Sequence, residues 1–454
     1  MRDIHMVDGT EELAAEAVKH LQALLRCETV NPPGNESTAI EYIRSQFEAE
    51  GIEYRVLEAA PGRVNIWARI RGNGTKRPLL LLSHVDVVPV EREHWSVDPF
   101  GGTIQNGYIY GRGAVDTKSL TAKELAIFLH AARQAKADEM TLSRDLIFLA
   151  VADEEQGGTY GMGWIAKNAP ELIDVEYALN EGGGFAVEVG GKRIYVCSTA
   201  EKGSALIRLR ATGDPGHGSV PHQRNAISRL ANAVRRVSMT PLPLHVTATA
   251  RALIATLAQT QKQPQQSLLP LVLNPLLSES LLGTLDTYIA DALRAMLHNT
   301  ASPTLLQAGY ASNVIPGEAT ATLDGRLLPG QTPEMFVAEL RRRIADRNVA
   351  VEVEGATFNG HECEQDTELF RAIRDALATH DPEALVSPYL LPAMTDSRFL
   401  IPRGIIAYGF DPMMPKPGWP SPQQMAHGHD ERISVANVAF GLRVLQRVVT
   451  QISA

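Results

Sequence analysis

The residues of this chain best suited to chemistry are imidazoles and carboxylates that recur after apolar runs and glycine-rich turns. Leu79-Leu80-Leu81-Leu82 leads into Ser83-His84-Val85-Asp86, and Gly111-Arg112-Gly113-Ala114-Val115 leads into Asp116. An apolar run ending at Ala152 is followed by Asp153-Glu154-Glu155, and Asn180-Glu181 precedes three glycines, Gly182 to Gly184. Near the C terminus stands His427-Gly428-His429-Asp430-Glu431. A lone His-x-Asp is equally the signature of a surface hydrogen-bonded pair, and Asp116, just ahead of a helix-forming stretch, has the position of an N-cap or near-cap. Three adjacent acids at a strand end are harder to explain by structure alone, because like charges at close range destabilise one another unless a cation sits among them. Two imidazoles and three carboxylates form a donor set for two hard-to-borderline divalent ions, zinc above all.

Groups of this kind need a rigid frame, and the surrounding pattern supplies an α/β one. Four leucines before a polar pair read as a buried central strand, and open α/β sheets carry their chemistry beyond the C-terminal ends of such strands. Residues 145–152 repeat that pattern and residues 175–179 give a third strand. Helical spacing of Leu13, Ala17, Leu21, Leu24 and Leu25 predicts an amphipathic helix over 11–25. A second helix is expected over 37–50, stopped by Gly51, then an alternating strand over 64–71 and a helix over 119–135. The segment between Asp86 and Gly113, rich in proline, glycine and aromatics, reads as a long loop with hairpin character. From about Ala200 alternating strands appear, with helices at 225–237 and 333–346 and a Leu- and Ala-rich helical stretch over 241–300. The α/β character then returns with a helix at 367–379, a strand at 404–408 and a last helix at 434–449. The expected organisation is an α/β catalytic domain, 1–200 with 358–454, whose mixed central sheet is flanked by helices, and an inserted α+β domain, 201–357.

A chain of 454 residues is too long for one core, since domains run to about 100–200 residues. A net charge of −9 argues against nucleic acid as a partner. Asp3, Asp8, Glu11, Glu12 and Glu16 leave the first residues without the basic and apolar regions of a signal peptide. No apolar run approaches the roughly 20 residues of a membrane span, so a soluble, cytoplasmic protein with no membrane partner is expected. Cys27, Cys197 and Cys363 are odd in number and widely spaced, which fits core or surface thiols rather than a disulfide framework or a thiolate zinc site.

Taken in order, Ser-His-Val-Asp, Gly-Arg-Gly-Ala-Val-Asp-Thr-Lys, Asp-Glu-Glu, Asn-Glu-Gly-Gly, Gly-His-Gly-Ser, Asn-Val-Ile-Pro with Asp-Gly-Arg, and His-Gly-His-Asp-Glu resemble the motifs of the co-catalytic zinc aminoacylases and carboxypeptidases. Acetylornithine deacetylase and succinyl-diaminopimelate desuccinylase are relatives in that family. The resemblance implies that His84 and Glu181 bind one zinc, Glu155 and His427 the other, and that Asp116 bridges them through an aspartate whose following peptide bond, Asp116–Thr117, is cis. Asp86 would fix the tautomer of His84 through its far nitrogen, and Glu154 would be the general base. Spacing alone does not separate His427 from His429; the family's motif assigns the ligand to the first and leaves His429 as a wall residue. His217 would polarise the scissile carbonyl as it becomes an oxyanion. Asn313 and Arg326 would hold a substrate carboxylate, Arg326 by a paired hydrogen bond.

Those roles imply two zinc ions per chain, replaceable by cobalt or manganese, and a water activated between them whose proton passes through Glu154 to the leaving amine. The substrate would be a small peptide or an N-acyl amino acid cut at the amide next to a free carboxylate. The inserted domain would act as lid and homodimer surface. One departure from the family lies at Pro392-Ala393-Met394-Thr395-Asp396, where a glycine-rich approach is replaced by a bulkier, more apolar one. Competing readings are a deacylase of a small biosynthetic metabolite such as acetylornithine or succinyl-diaminopimelate, and a metal-binding scaffold without turnover. The scaffold has no need of a non-ligating carboxylate at Glu154, and a serine hydrolase lacks its Gly-x-Ser-x-Gly elbow.

Overall fold

The structure is a computed structural model and describes residues 5–137, 141–415 and 421–454. The chain forms two compact units: Met1–Thr199 with Cys363–Ser387 and Thr395–Ala454, and Ala200–Glu362 with Pro388–Met394.

In the first unit the leucine run is the strand Leu79–His84, buried along its whole length. It lies between the parallel strands Leu146–Val151 and Tyr177–Asn180, and Ile406–Gly409 continues the parallel set beyond the latter. The hairpin Tyr54–Ala60 and Arg63–Ile70 extends the sheet antiparallel on the other side. Side chains alternate faces along a strand, so a run buried at every position needs cover on both sides. Leu79 and Leu81 pack in one apolar cluster with Phe148, Phe128, Leu21 and Leu445. Leu80 and Leu82 pack in another with Leu149, Met162, Ile165 and Leu400.

Helices His5–Leu25, Lys118–Lys136 and Val435–Ser453 pack against one another. The middle one is buried over most of its length, polar residues included. Lys118 of the Asp-Thr-Lys motif donates from Nζ to Leu24 O at 3.0 Å and Cys27 O at 2.8 Å, at the C-terminal end of helix His5–Leu25. Helix Ser37–Glu50 ends at Gly51, whose φ of 60° is left-handed and suits a C-cap without a Cβ. The strand Tyr54–Ala60, absent from the sequence reading, shows no alternation because it is an edge strand none of whose residues is fully buried.

The second unit contains an antiparallel sheet in the order Thr300–Ala308, Glu318–Leu327, Gly203–Thr212, Val349–Phe358. Gly203–Thr212 alternates strictly, with Ala205, Ile207, Leu209 and Ala211 buried. These meet Leu230 and Ala233 of helix Ala226–Ser238 and Phe336 and Leu340 of helix Pro333–Ile344. Both helices start on side-chain caps, Asn225 and Thr332. Residues 241–300 form helices around a separate apolar cluster that includes Leu253, Ile254, Val272 and Leu293. Among the described residues no helix is long and apolar enough to cross a membrane, and the cysteines are free, Cys197 and Cys363 buried.

Phe47, Phe128 and Phe148, the last on the strand Leu146–Val151, meet edge-on or tilted with ring centroids 5.6–5.7 Å apart. Phe148→Ala is expected to destabilise the first unit by about 3–5 kcal/mol, the usual range for emptying a buried aromatic position. Denaturant unfolding followed by tryptophan fluorescence measures it, and a loss below about 1 kcal/mol would contradict this packing.

Candidate metal centre

Parallel strands end at the same edge of the sheet, and the imidazole and acids of the motifs meet there. His84 closes its strand, Glu154 and Glu155 begin the short 3-10 helix Glu154–Gln156 after Leu146–Val151, and Glu181 follows Tyr177–Asn180. Asp116 arrives from the glycine-rich loop ahead of Lys118–Lys136. Its two oxygens face different imidazoles: Oδ1 is 3.2 Å from His84 Nε2 and Oδ2 is 3.2 Å from His427 Nε2. Glu181 Oε1 lies 3.4 Å from His84 Nε2, and Glu155 Oε2 lies 3.2 Å from His427 Nε2. Ligand atoms of His84, Asp116 and Glu155 fall within 4.8 Å of one another, and so do those of His84, Glu154 and Glu181. His429 points elsewhere, with Nε2 2.8 Å from Glu91 Oε2. Thr117, not Asp116, occupies the N-cap position and makes no side-chain cap there, and the Asp116–Thr117 bond is cis.

A second layer of residues holds this arrangement. Asp86 accepts from Asn31 Nδ2 at 2.9 Å and from the backbone N–H groups of Glu154 and Glu155 at 3.1 and 3.2 Å. His84 Nδ1 lies 3.0 Å from the Asp86 backbone carbonyl and 3.5 Å from its carboxylate, so the main chain is the nearer partner of that nitrogen. One short segment thus orients the imidazole and also the turn that carries both glutamates. Asp153 sits at a left-handed φ of 71°, a region a residue with a Cβ keeps only when its surroundings insist. They do: Asp153 accepts from Arg63 at 2.8 Å, Asn31 at 3.1 Å and Tyr160 N at 3.0 Å, while Arg63 also grips Glu36 at 2.8 and 2.9 Å. On the opposite side Glu431 accepts from Val115 N at 2.7 Å, Asp116 N at 3.0 Å, Gly113 N at 3.1 Å and Arg112 Nη1 at 2.6 Å. Arg112 Nη2 donates in turn to His427 O at 3.2 Å, tying together the loops that carry Asp116 and His427. Buried Arg398 brings Nη1 to 3.4 Å from Glu154 Oε1.

Sequence reasoning assigned no role to Asn31, Arg63, Arg112, Arg398 or Glu431. Arg112 and Glu431 lie inside Gly-Arg-Gly-Ala-Val-Asp and His-Gly-His-Asp-Glu, which was the available signal. Asn31 and Arg63 had none, because their partners stand 27 to 122 residues away.

Crowding shows in the charges. Burial pushes Glu181 up to about 7, opposed by His84 and reinforced by Asp116 and Glu155. Burial also raises Glu154 well above the usual carboxylate range, with Glu181 adding to it, and raises Glu155 against its hydrogen bond with His427. Hydrogen bonds to Asp116 and Glu155 lift His427 to about 10. For His84 burial opposes the charge and is outweighed by Glu181, Asp116 and Asp86. Against burial, hydrogen bonds to His427 and His84 hold Asp116 well below the usual carboxylate range, and three glutamates driven toward protonation beside imidazoles driven to hold a proton mark a place short of positive charge. Glu155 Oε1 is buried without a hydrogen-bond partner. Nitrogen and carboxylate oxygen donors in this geometry fit divalent cations of the zinc type.

Residues 80–451 match the model of Peptidase family M20/M25/M40. The chain belongs to this family. It is therefore a hydrolase of metallopeptidase and amidohydrolase kind, in a family whose members depend on metal. Aminoacylase-1A of Rattus norvegicus is 28% identical to it over 437 residues, 95% of this chain and 93% of that protein. The N-fatty-acyl-amino acid synthase/hydrolase PM20D1 of Homo sapiens is 30% identical over 387 residues, 82% of this chain and 74% of that one. The M20 family metallo-carboxypeptidase Sso-CP2 from Sulfolobus solfataricus shares the fold with a TM-score of 0.71 at 20% identity, covering 96% of this chain and 99% of that one.

The remaining expected residues stand in the second unit. His217 is exposed on the strand Gly216–His217, paired with Val314, and its Nδ1 lies 2.7 Å from Ser219 Oγ. Asn313 is close by, its carbonyl accepting from Gly218 N at 2.7 Å. Arg326 lies on Glu318–Leu327 with its guanidinium paired to Asp324 at 2.8 and 3.0 Å.

Asp86→Asn sets an N–H where an acceptor served three donors. Metal affinity is expected to fall about 10–100-fold, the common cost of disturbing residues that orient ligands, with the far-ultraviolet circular dichroism unchanged. Competition against a chromophoric chelator measures it, and wild-type affinity would contradict the role given to Asp86.

Proposed function

We propose that this M20 hydrolase is a two-zinc N-acyl amino acid hydrolase, cutting the amide bond next to a free α-carboxylate. The observation that carries the reading is the Asp116 carboxylate, which offers one oxygen toward His84 and the other toward His427, each at 3.2 Å. His84, Asp116 and Glu181 would hold one ion, and Asp116, Glu155 and His427 the other, with cobalt or manganese able to replace zinc. Bound there, the ions would supply Lewis acidity and bring the pKa of a water molecule toward neutrality.

The rest falls to the chain. Glu154 takes the proton of the attacking water and returns it to the leaving amine, a task for a carboxylate beside the ions that ligates neither. Arg398, 3.4 Å from Glu154 Oε1, orients it and favours its ionised form. His217 donates to the developing oxyanion. Asn313 and Arg326 receive the substrate carboxylate, which would compete with Asp324 for the guanidinium fork. The choice of N-acyl amino acids over peptides is supported by the aminoacylase-1 sequences, which align over nearly the full length of both chains. Turnover of a panel of N-acyl amino acids and dipeptides by the zinc-loaded protein decides it. Faster cleavage of dipeptides than of every acyl amino acid would overturn the substrate class.

Glu154→Gln is expected to keep its metal while kcat falls about 10²–10⁴-fold, the usual contribution of general acid–base catalysis. Elemental analysis beside steady-state kinetics checks both halves, and retained turnover would move the base elsewhere.

We also propose a homodimer in which His217 serves the partner's site. Mixing inactive Glu154→Gln with inactive His217→Ala under subunit exchange should then return about a quarter of wild-type activity. Half of the dimers are mixed, and each of those has one intact site of two. No return of activity despite demonstrated exchange would place His217 in its own chain's site.

A further inference from the structure

We infer that the surface segment 91–96 is a clamp that keeps the turn bearing His427 in its ligating position, with Glu91 and His94 as positioning residues for the outer metal position. This rests on the two-ion reading of the centre. Its starting point is an imbalance among the donors. The His84 side chain is 1% exposed and Glu155 6%, whereas His427 is 56% exposed. His427 stands on neither helix nor strand. It lies in the turn between the short helix Pro422–Met425 and the strand Arg432–Ser434. Two residues of that turn with side chains, His427 and Asp430, adopt left-handed backbone at φ 61° and 52°. Such conformations persist only where neighbours over-determine them.

The neighbours act from two sides. On the inner side Arg112 donates to His427 O at 3.2 Å and Gly111 N donates to Glu431 O at 3.0 Å. On the outer side segment 91–96 supplies three contacts. Glu91 Oε2 is 2.8 Å from His429 Nε2, the His94 ring stacks on the His429 ring at 5.0 Å and 30°, and Ser96 N donates to Asp430 Oδ1 at 2.8 Å. The segment is itself fastened, because Trp95 is buried with the Arg112 guanidinium 5.4 Å from its ring centre. Arg112 therefore braces the turn directly and the clamp through Trp95. The His-Gly-His spacing takes on a division of labour, in which His427 faces the carboxylates and His429 is the handle by which the turn is held. Removing the handle's partners frees a donor whose side chain is more than half exposed, while His84 and Glu181, at the ends of buried strands, keep their places.

The test uses the full-length zinc-loaded protein carrying Glu91→Ala, His94→Ala or both, titrated against a chromophoric chelator, with thermal unfolding of the metal-free forms in parallel. The expected result is that one of the two ions is held about 10–100-fold more weakly, as when ligand-orienting residues are lost elsewhere. The other ion and the unfolding midpoint stay at wild-type values. Glu91→Gln, which keeps a hydrogen-bond acceptor for His429, should recover most of the lost affinity. Wild-type affinity for both ions in the double variant would overturn the clamp while leaving the centre intact. Equal weakening of both ions, or a lowered midpoint, would overturn it as well by showing a general structural role. A wild-type protein that takes up fewer than two ions would overturn the reading of the centre and the clamp together.

Discussion

The constraint on which this structure turns is the crowding of carboxylates around one shared aspartate. Asp116, Glu155 and Glu181 stand within 3.2 to 3.4 Å of two imidazole nitrogens, with Glu154 beside them, and burial removes most of the water that would screen their repulsion. Like charges so placed cannot all ionise without a cation in their midst. A fold that keeps them together must hold each one against that repulsion. The layers around the centre can be read as the means of doing so.

The support comes from buried ion pairs and backbone amides rather than from apolar packing. Arg63 joins Glu36 and Asp153, Arg112 joins Glu431 to the His427 turn, and Lys123 pairs with Asp411 inside the unit. Buried pairs of this kind add little net stability over apolar replacements, yet removing one partner leaves an uncompensated charge. Their use here is geometric. Arg63 fixes the turn that carries Glu154 and Glu155 and Arg112 the loops of Asp116 and His427, while the parallel strands Leu79–His84, Leu146–Val151 and Tyr177–Asn180 bring His84, the glutamate turn and Glu181 side by side. Membership of the M20 peptidase family accords with that division between rigid sheet and donor-bearing loops.

How much was legible in the sequence followed from how local each signal was. The central strands showed as continuous apolar runs because both faces of the sheet are covered, and helix Ser37–Glu50 showed through its spacing and the glycine that ends it. Tyr54–Ala60 did not show, since an edge strand with no fully buried residue carries no period to read. Lys192–Glu201 was not read as a strand either, although every residue after Arg193 is buried. The donors were visible because polar residues at the end of an apolar run stand out, and family resemblance ordered them. Asp116 carried two local meanings, cap or ligand, and only the fold shows its oxygens turned toward the imidazoles. Asn31 and Arg63 were invisible for the opposite reason: each is ordinary in its own neighbourhood and matters only through partners far along the chain.

A two-ion centre built this way requires Asp116 to be shared between both ions. Anomalous diffraction from crystals of the zinc-loaded protein, collected above and below the zinc edge, tests this directly. The account predicts two peaks flanking the Asp116 carboxylate, one against His84 and Glu181 and the other against Glu155 and His427. A single peak, or a second one bound through His429 and away from Asp116, would contradict it.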